Sequence, residues 1–94
     1  MASVNETART DMAIHPGEFL REELDARDLS QRALATQIGR PYQAVNEIVR
    51  GKKTITAETA VQLEQALGIS ADYWMNLRTA YELTLARNER RASA

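Results

Sequence analysis

The chain has no cysteine and a single histidine in its 94 residues. Disulfides are therefore excluded, zinc sites of the Cys/His kind cannot be assembled, and any metal would have to be held by carboxylates alone. Neither a metal nor a cofactor is expected. There is no run of about 18 uncharged apolar residues, as a membrane-spanning helix requires. The first 13 residues, MASVNETARTDMA, lack the basic start and apolar centre of a secretion signal. The chain thus reads as cytoplasmic, with no membrane partner. Proline and glycine are scarce, at two and four residues, and no long polar or Pro/Gly-rich stretch divides the sequence. One small domain with a modest core is expected.

An excess of charge of one sign is also missing, the formal net charge being −1. Resolved along the chain, the balance is uneven. Residues 17 to 28 carry Glu18, Glu22, Glu23, Asp25 and Asp28 against Arg21 and Arg27, a local −3, whereas residues 40 to 53 carry Arg40, Arg50, Lys52 and Lys53 against Glu47, a local +3. A two-faced molecule is implied. Its basic patch would attract phosphates locally without the indiscriminate binding of a uniformly basic surface. The acidic run reads as a solvated face or as a docking surface for a basic partner.

What the sequence does contain is helical punctuation. His15-Pro16 opens a first helix, with Pro16 in its first turn, Glu18 placed to favour the helix dipole, and Phe19, Leu20 and Leu24 turned inward. It ends near Arg27, with Asp28 as a left-handed terminal residue. Ser30 is an N-cap, flanked by Leu29 and Leu34 at hydrophobic-staple spacing, and Ile38 follows Leu34 on the same face. Gly39 takes the left-handed turn and Pro41 opens the first turn of a third helix, in which Val45, Ile48 and Val49 form the inner stripe. Gly51 ends it. Thr56 caps a fourth helix, with Ala60, Leu63 and Leu67 on one side and Gly68 at its end. Ile69-Ser70 repeats the staple-and-cap pattern before a fifth helix through Trp74, Leu77, Tyr81 and Leu85. Residues 14–86 form the domain. Residues 1–13 are expected as a mobile arm and residues 87–94 as a frayed tail.

The two short helices around Gly39, followed by the basic Gly51-Lys52-Lys53 turn, have the layout of a helix-turn-helix that reads DNA. Amide and guanidinium groups match the donor and acceptor pattern of base edges in the major groove. Gln43 and Asn46, three apart on the outward face of the third helix, are the first candidates for base reading. Tyr42 suits a thymine methyl or a phosphate, Arg40 a guanine or a phosphate, and Glu47 the exclusion of phosphates or a cytosine amine. Lys52 and Lys53, with Arg50 before them, are placed to anchor phosphates. Gln31 joins them at the N-terminus of the second helix, where backbone N–H groups also favour anions. Any surface helix has polar outward residues, so these roles depend on the capped two-helix frame. His15 has no cysteine, serine or second histidine as a partner and reads as a helix-start residue. Tyr73, Trp74, Leu77 and Tyr81 either complete the core or form a self-complementary dimer patch.

Taken together, residues 15 to 80 resemble the XRE/Cro-like repressor family. HPGEFLREEL, IVRGKKTITAETAVQLEQALG and SADYWMNLRTAYEL look like the HigA-type antitoxins of bacterial toxin–antitoxin modules. The resemblance implies an all-α, five-helix, lambda-repressor-like domain with the helix-turn-helix in helices 2 and 3. It further implies a homodimer that binds a palindromic operator in double-stranded DNA within its own promoter and neutralises a HigB/RelE-like mRNA endonuclease toxin. The family's groove-reading positions fall on Arg40, Tyr42, Gln43, Asn46 and Glu47, and its phosphate-binding positions on Gln31, Lys52 and Lys53. Pro41 departs from the Ser or Thr that many relatives have there. Residues 1–13, outside the resemblance, are vector-derived, a native extension or a part of the toxin contact. Competing readings are a phage or restriction-system regulator with no toxin partner, and an interaction module that has lost DNA binding. An enzyme is disfavoured, because too little chain remains outside the fold to build an active site.

Overall fold

The computed structural model describes residues 12–93. Among them are five helices and no strand: α1 (Pro16–Ala26), α2 (Gln31–Ile38), α3 (Tyr42–Val49), α4 (Ala57–Leu67) and α5 (Ala71–Ser93). The expected arm lies, up to residue 11, outside the described residues; Met12 to His15 lead into α1 without regular structure.

Every helix start except that of α3 is capped by a neighbouring side chain. Ser30 Oγ accepts from the Ala33 N–H at 3.0 Å, Thr56 Oγ1 from the Thr59 N–H at 3.2 Å and Ser70 Oγ from the Tyr73 N–H at 3.1 Å. α1 uses His15, whose Nδ1 accepts from the Gly17 N–H at 2.9 Å. α3 differs from expectation by one residue. Pro41 is its N-cap and not part of its first turn: φ is −62° but ψ is 148°, which is extended. A proline ring constrains φ alone, and ψ follows the path of the incoming chain.

The ends of α1, α2 and α3 share one device. Asp28 (φ 55°), Gly39 (φ 70°) and Gly51 (φ 78°) are left-handed. At each, the left-handed residue and its successor donate back into the last helical turn: Asp28 and Leu29 to Asp25 and Leu24, Gly39 and Arg40 to Thr36 and Ala35, Gly51 and Lys52 to Ile48 and Glu47. This is the Schellman arrangement, which satisfies carbonyls that the helix leaves unpaired.

Packing follows from the apolar stripes. α1 lies against α3 and α5, α2 against α3 and α4, and α4 against α5. Leu20, Leu24, Leu34, Val45, Leu63 and Trp74 are buried at their centre, and Phe19, Leu29, Ile38 and Val49 pack at the margin. Ile55, 0% exposed, is a core residue that the helical periods do not reveal. It precedes the Thr56 cap and plugs the core from a loop, as staple residues do.

α5 continues to Ser93, beyond the boundary at 86 and into the segment 87–94 expected to fray. Its apolar period is lost there, but ARNERRAS contains good helix formers and neither Gly nor Pro. Arg90 and Arg91 in the last turn face the negative end of the dipole. At 23 residues the helix extends about 34 Å, so its second half projects past the core.

Candidate nucleic-acid interface

α3 turns Val45 and Ile48 into the core with Val49 at its margin, and its polar side chains form an outward edge. Tyr42, Gln43 and Arg50 are exposed, and Asn46 and Glu47 are half-buried. The amides picked out by sequence are thus on the accessible side, but Asn46 is not independent. Its Nδ2 donates to Gln31 Oε1 at 3.0 Å, joining a candidate base reader to a candidate phosphate binder across the α2–α3 junction.

A second contact spans the same junction. The Arg32 guanidinium lies 4.2 Å from the centre of the Tyr42 ring, a cation–π distance. Arg32 is exposed at the first turn of α2, so the stack adds a cation to the edge formed by Gln31 and Tyr42. Sequence reasoning passed over Arg32, since only the crossing of α2 and α3 brings residues ten apart into contact.

Lys52 and Lys53 are exposed in the turn after α3. Their backbone N–H groups both reach the Glu47 carbonyl, at 2.8 and 3.2 Å, which fixes the turn and leaves both ammonium groups to solvent. Arg40 is placed differently from its expected reading position. Its Nε donates to Gln62 Oε1 at 2.6 Å, and the same guanidinium approaches Glu58 Oε1 at 3.5 Å. Both partners lie on α4, so Arg40 ties the turn before α3 to that helix and would have to exchange these contacts to reach a base.

His15 links α1 to the turn. Besides accepting from Gly17, it packs edge-on against Tyr81, with ring centres 5.0 Å apart. Burial pushes its pKa below the ordinary value, against opposing contributions from Glu18 and Lys53. The aromatic set on α5 divides. Trp74 is core, 1% exposed, and meets Tyr73 edge-to-face at 5.5 Å; Leu77 and Tyr81 are half-buried, and Tyr73 is exposed along with Leu83 and Leu85 further on.

No three His, Asp or Glu side chains among the described residues come together as metal ligands would, and no helix among those residues is long and apolar enough to cross a membrane. The outward edge consists of amides, a guanidinium–aromatic stack and exposed cations. These groups suit an anionic polymer with readable base edges.

Comparison with known proteins agrees with this chemistry. The helix-turn-helix family model matches residues 20–74, more than half of the chain. Antitoxin HigA-1 of Vibrio cholerae is 33% identical over 77% of this chain and 69% of its own length. The chain belongs to the HigA-type branch of the helix-turn-helix family. Virulence-associated protein I of Dichelobacter nodosus is 44% identical to this HigA-type chain, over 85% of it and 75% of the relative. Among solved structures, that of Pseudomonas aeruginosa antitoxin HigA with the higBA promoter is similar at a TM-score of 0.81 and 38% identity, covering 87% of this chain and 90% of that one. The HigA-type chain accordingly takes its place among transcription regulators and antitoxins, not among enzymes.

Proposed function

We propose that this HigA-type chain is a homodimeric repressor that binds a palindromic operator in its own promoter and also serves as the antitoxin of a RelE-like mRNA endonuclease. The observation that carries the DNA half is the outward edge of α3, where Gln43 and Asn46 are flanked by Arg32, Lys52 and Lys53. Gln43 and Asn46 read bases, with Tyr42 and Glu47 beside them, and Arg40 joins them only by exchanging its contacts to Gln62 and Glu58. Gln31, Arg50, Lys52 and Lys53 hold phosphates. In a two-fold dimer the two α3 helices would enter successive major grooves about 34 Å apart. Tyr73, Leu83 and Leu85, apolar and exposed on α5, support pairing through that helix, with Leu77 and Tyr81 at its margin. The Pseudomonas relative solved with the higBA promoter supports both operator and operon.

The DNA half is tested by a mobility-shift titration at several salt concentrations, using a duplex of the chain's own upstream region. Specific binding should vanish in the Gln43→Ala/Asn46→Ala variant and only weaken in Lys52→Ala. Equal displacement of the wild type by unrelated competitor DNA would overturn the operator reading. The antitoxin half is tested by co-expression: failure to restore growth inhibited by the protein encoded next to it would remove the toxin partner and leave the regulator.

A further inference from the structure

The HPGE opening of the domain contributes nothing to the outward edge of α3, but it borders a different surface. His15 and Glu18, with Arg21 one turn further along α1, line a cavity of about 560 Å³ together with Val49 and Arg50 at the end of α3 and Tyr81 of α5. Small-molecule sites typically enclose about 300 to 1,000 Å³. The rim is held in place before any ligand arrives: His15 Nδ1 accepts from the Gly17 N–H at 2.9 Å, and the His15 ring meets Tyr81 at 5.0 Å.

Two arginines on this cavity stand apart from the others around the core. Arg27, Arg40 and Arg78 each meet a carboxylate, and Arg32 lies over Tyr42. Arg21 and Arg50 are exposed and have no such contact among the described residues. Their like charges border one space, and an anion bound there offsets the repulsion while accepting from both. A guanidinium offers its donors as a planar fork that matches phosphate oxygens. Glu18 offsets one of the two positive charges, which leaves a carboxylate monoanion with little to gain. A phosphomonoester carries close to two negative charges near neutral pH and gains more. A phosphate group by itself would leave most of the cavity empty, and Tyr81 and Val49 supply aromatic and aliphatic surface for the rest of a ligand.

We infer that this cavity binds a small organic phosphate, with Arg21 and Arg50 holding the phosphate group and Tyr81 and Val49 the organic part. Arg50 is shared, since under the proposed function it holds an operator phosphate. Occupancy therefore withdraws one contact from DNA, and by linkage ligand and operator weaken each other's binding. That coupling rests on the DNA-binding reading; the site itself does not.

The test titrates the full chain with phenyl phosphate, inorganic phosphate and benzoate at constant ionic strength, following backbone and arginine side-chain N–H signals by heteronuclear NMR. Shifts should saturate as a single site centred on Glu18, Arg21, Arg50 and Gly51, with phenyl phosphate the tightest of the three. Arg21→Gln and Arg50→Gln should each weaken phenyl phosphate by about 10-fold or more, as for loss of a charge-assisted hydrogen bond. Glu18→Gln should strengthen it by roughly 2- to 5-fold. Arg87→Gln, which does not line the cavity, should match the wild type. All four side chains are exposed; should Arg21→Gln nevertheless melt below the wild type, Arg21→Lys, which keeps the charge without the fork, supplies the comparison and should bind more weakly than the wild type. Shifts spread equally over Lys52 and Arg87, or binding indifferent to Arg21→Gln, overturn the inference. Benzoate as tight as phenyl phosphate overturns the phosphate class, and inorganic phosphate as tight overturns the organic part. In a mobility-shift assay, phenyl phosphate should weaken operator binding by the wild type and leave that of Arg21→Gln unchanged. If no probe binds while Arg21→Gln weakens operator binding, the cavity belongs to the DNA backbone and the inference falls. Failure to bind any duplex removes the proposed repressor and leaves the NMR result standing.

Discussion

A Cβ on Gly17 would lie 1.9 Å from the carbonyl oxygen of Ile48. The start of α1 thus abuts the backbone at the end of α3, and because Gly17 is the contact, neither side can give way through a side-chain rotation. The Ile48 carbonyl also accepts from the Gly51 N–H, so α1 backs the turn that carries Lys52 and Lys53. Gly17→Ala should destabilise the chain by about 3 kcal/mol, the upper end of the range for overpacking. For a domain of this size that lowers the melting temperature by roughly 12 °C or more. A thermal melt within a degree or two of the wild type would show that the contact is not rigid.

His15 predicts a pH dependence whose sign follows from its lowered pKa. In the unfolded chain it titrates near its ordinary value of about 6.5; in the folded chain burial favours the neutral ring, whose Nδ1 accepts from Gly17. Above that pH both states are neutral and the His15 contribution is complete. As pH falls below it, the unfolded state binds the proton first, and stability is lost until the lower folded pKa is passed. His15→Asn keeps a capping acceptor and removes the titration. The melting temperature of the wild type should therefore fall relative to His15→Asn between neutral pH and about pH 5. Parallel curves would remove His15 as the cause.

Arg40 is expected to act through α4. Because its guanidinium engages Gln62 and Glu58, a double-mutant cycle with Arg40→Met and Gln62→Ala should give a coupling of about 1 kcal/mol in urea denaturation, as for a partly exposed hydrogen bond to a charged group. Coupling below about 0.3 kcal/mol would indicate that the pair is not maintained in solution and would return Arg40 to the groove.

Lys52 and Lys53 should affect binding and leave folding unchanged. Their ammonium groups are exposed and the turn is held by backbone bonds to Glu47, which alanine retains. Each Lys→Ala variant should melt like the wild type while lowering the slope of log K against log salt by about 1, the loss of one phosphate contact. An unchanged slope would place these lysines away from the DNA.

Local chemistry made most of the helix boundaries legible. Ser30, Thr56 and Ser70 cap helices because a short hydroxyl reaches a nearby N–H, and Asp28, Gly39 and Gly51 end them because few other residues tolerate positive φ. The inner stripes of α1, α3 and α4 were equally readable, since 3.6-residue periodicity is a property of the segment itself. Ile55 escaped because a loop residue has no period. The extent of α5 was misjudged because loss of the apolar period signals loss of packing, and helix propensity can persist without it.

The sequence by itself determined where the helices are, which faces are apolar and that α3 carries amides beside a basic turn, since each of these depends on residues within one or two turns of one another. Only the tertiary structure decided that Asn46 is tied to Gln31, that Arg32 lies over Tyr42, that Arg40 is engaged by α4 and that Gly17 meets the Ile48 carbonyl. These contacts join residues 10 to 31 positions apart, and such separations carry no local signal. Helix packing sets the distances, and with them which polar atoms are engaged and which remain to meet a base.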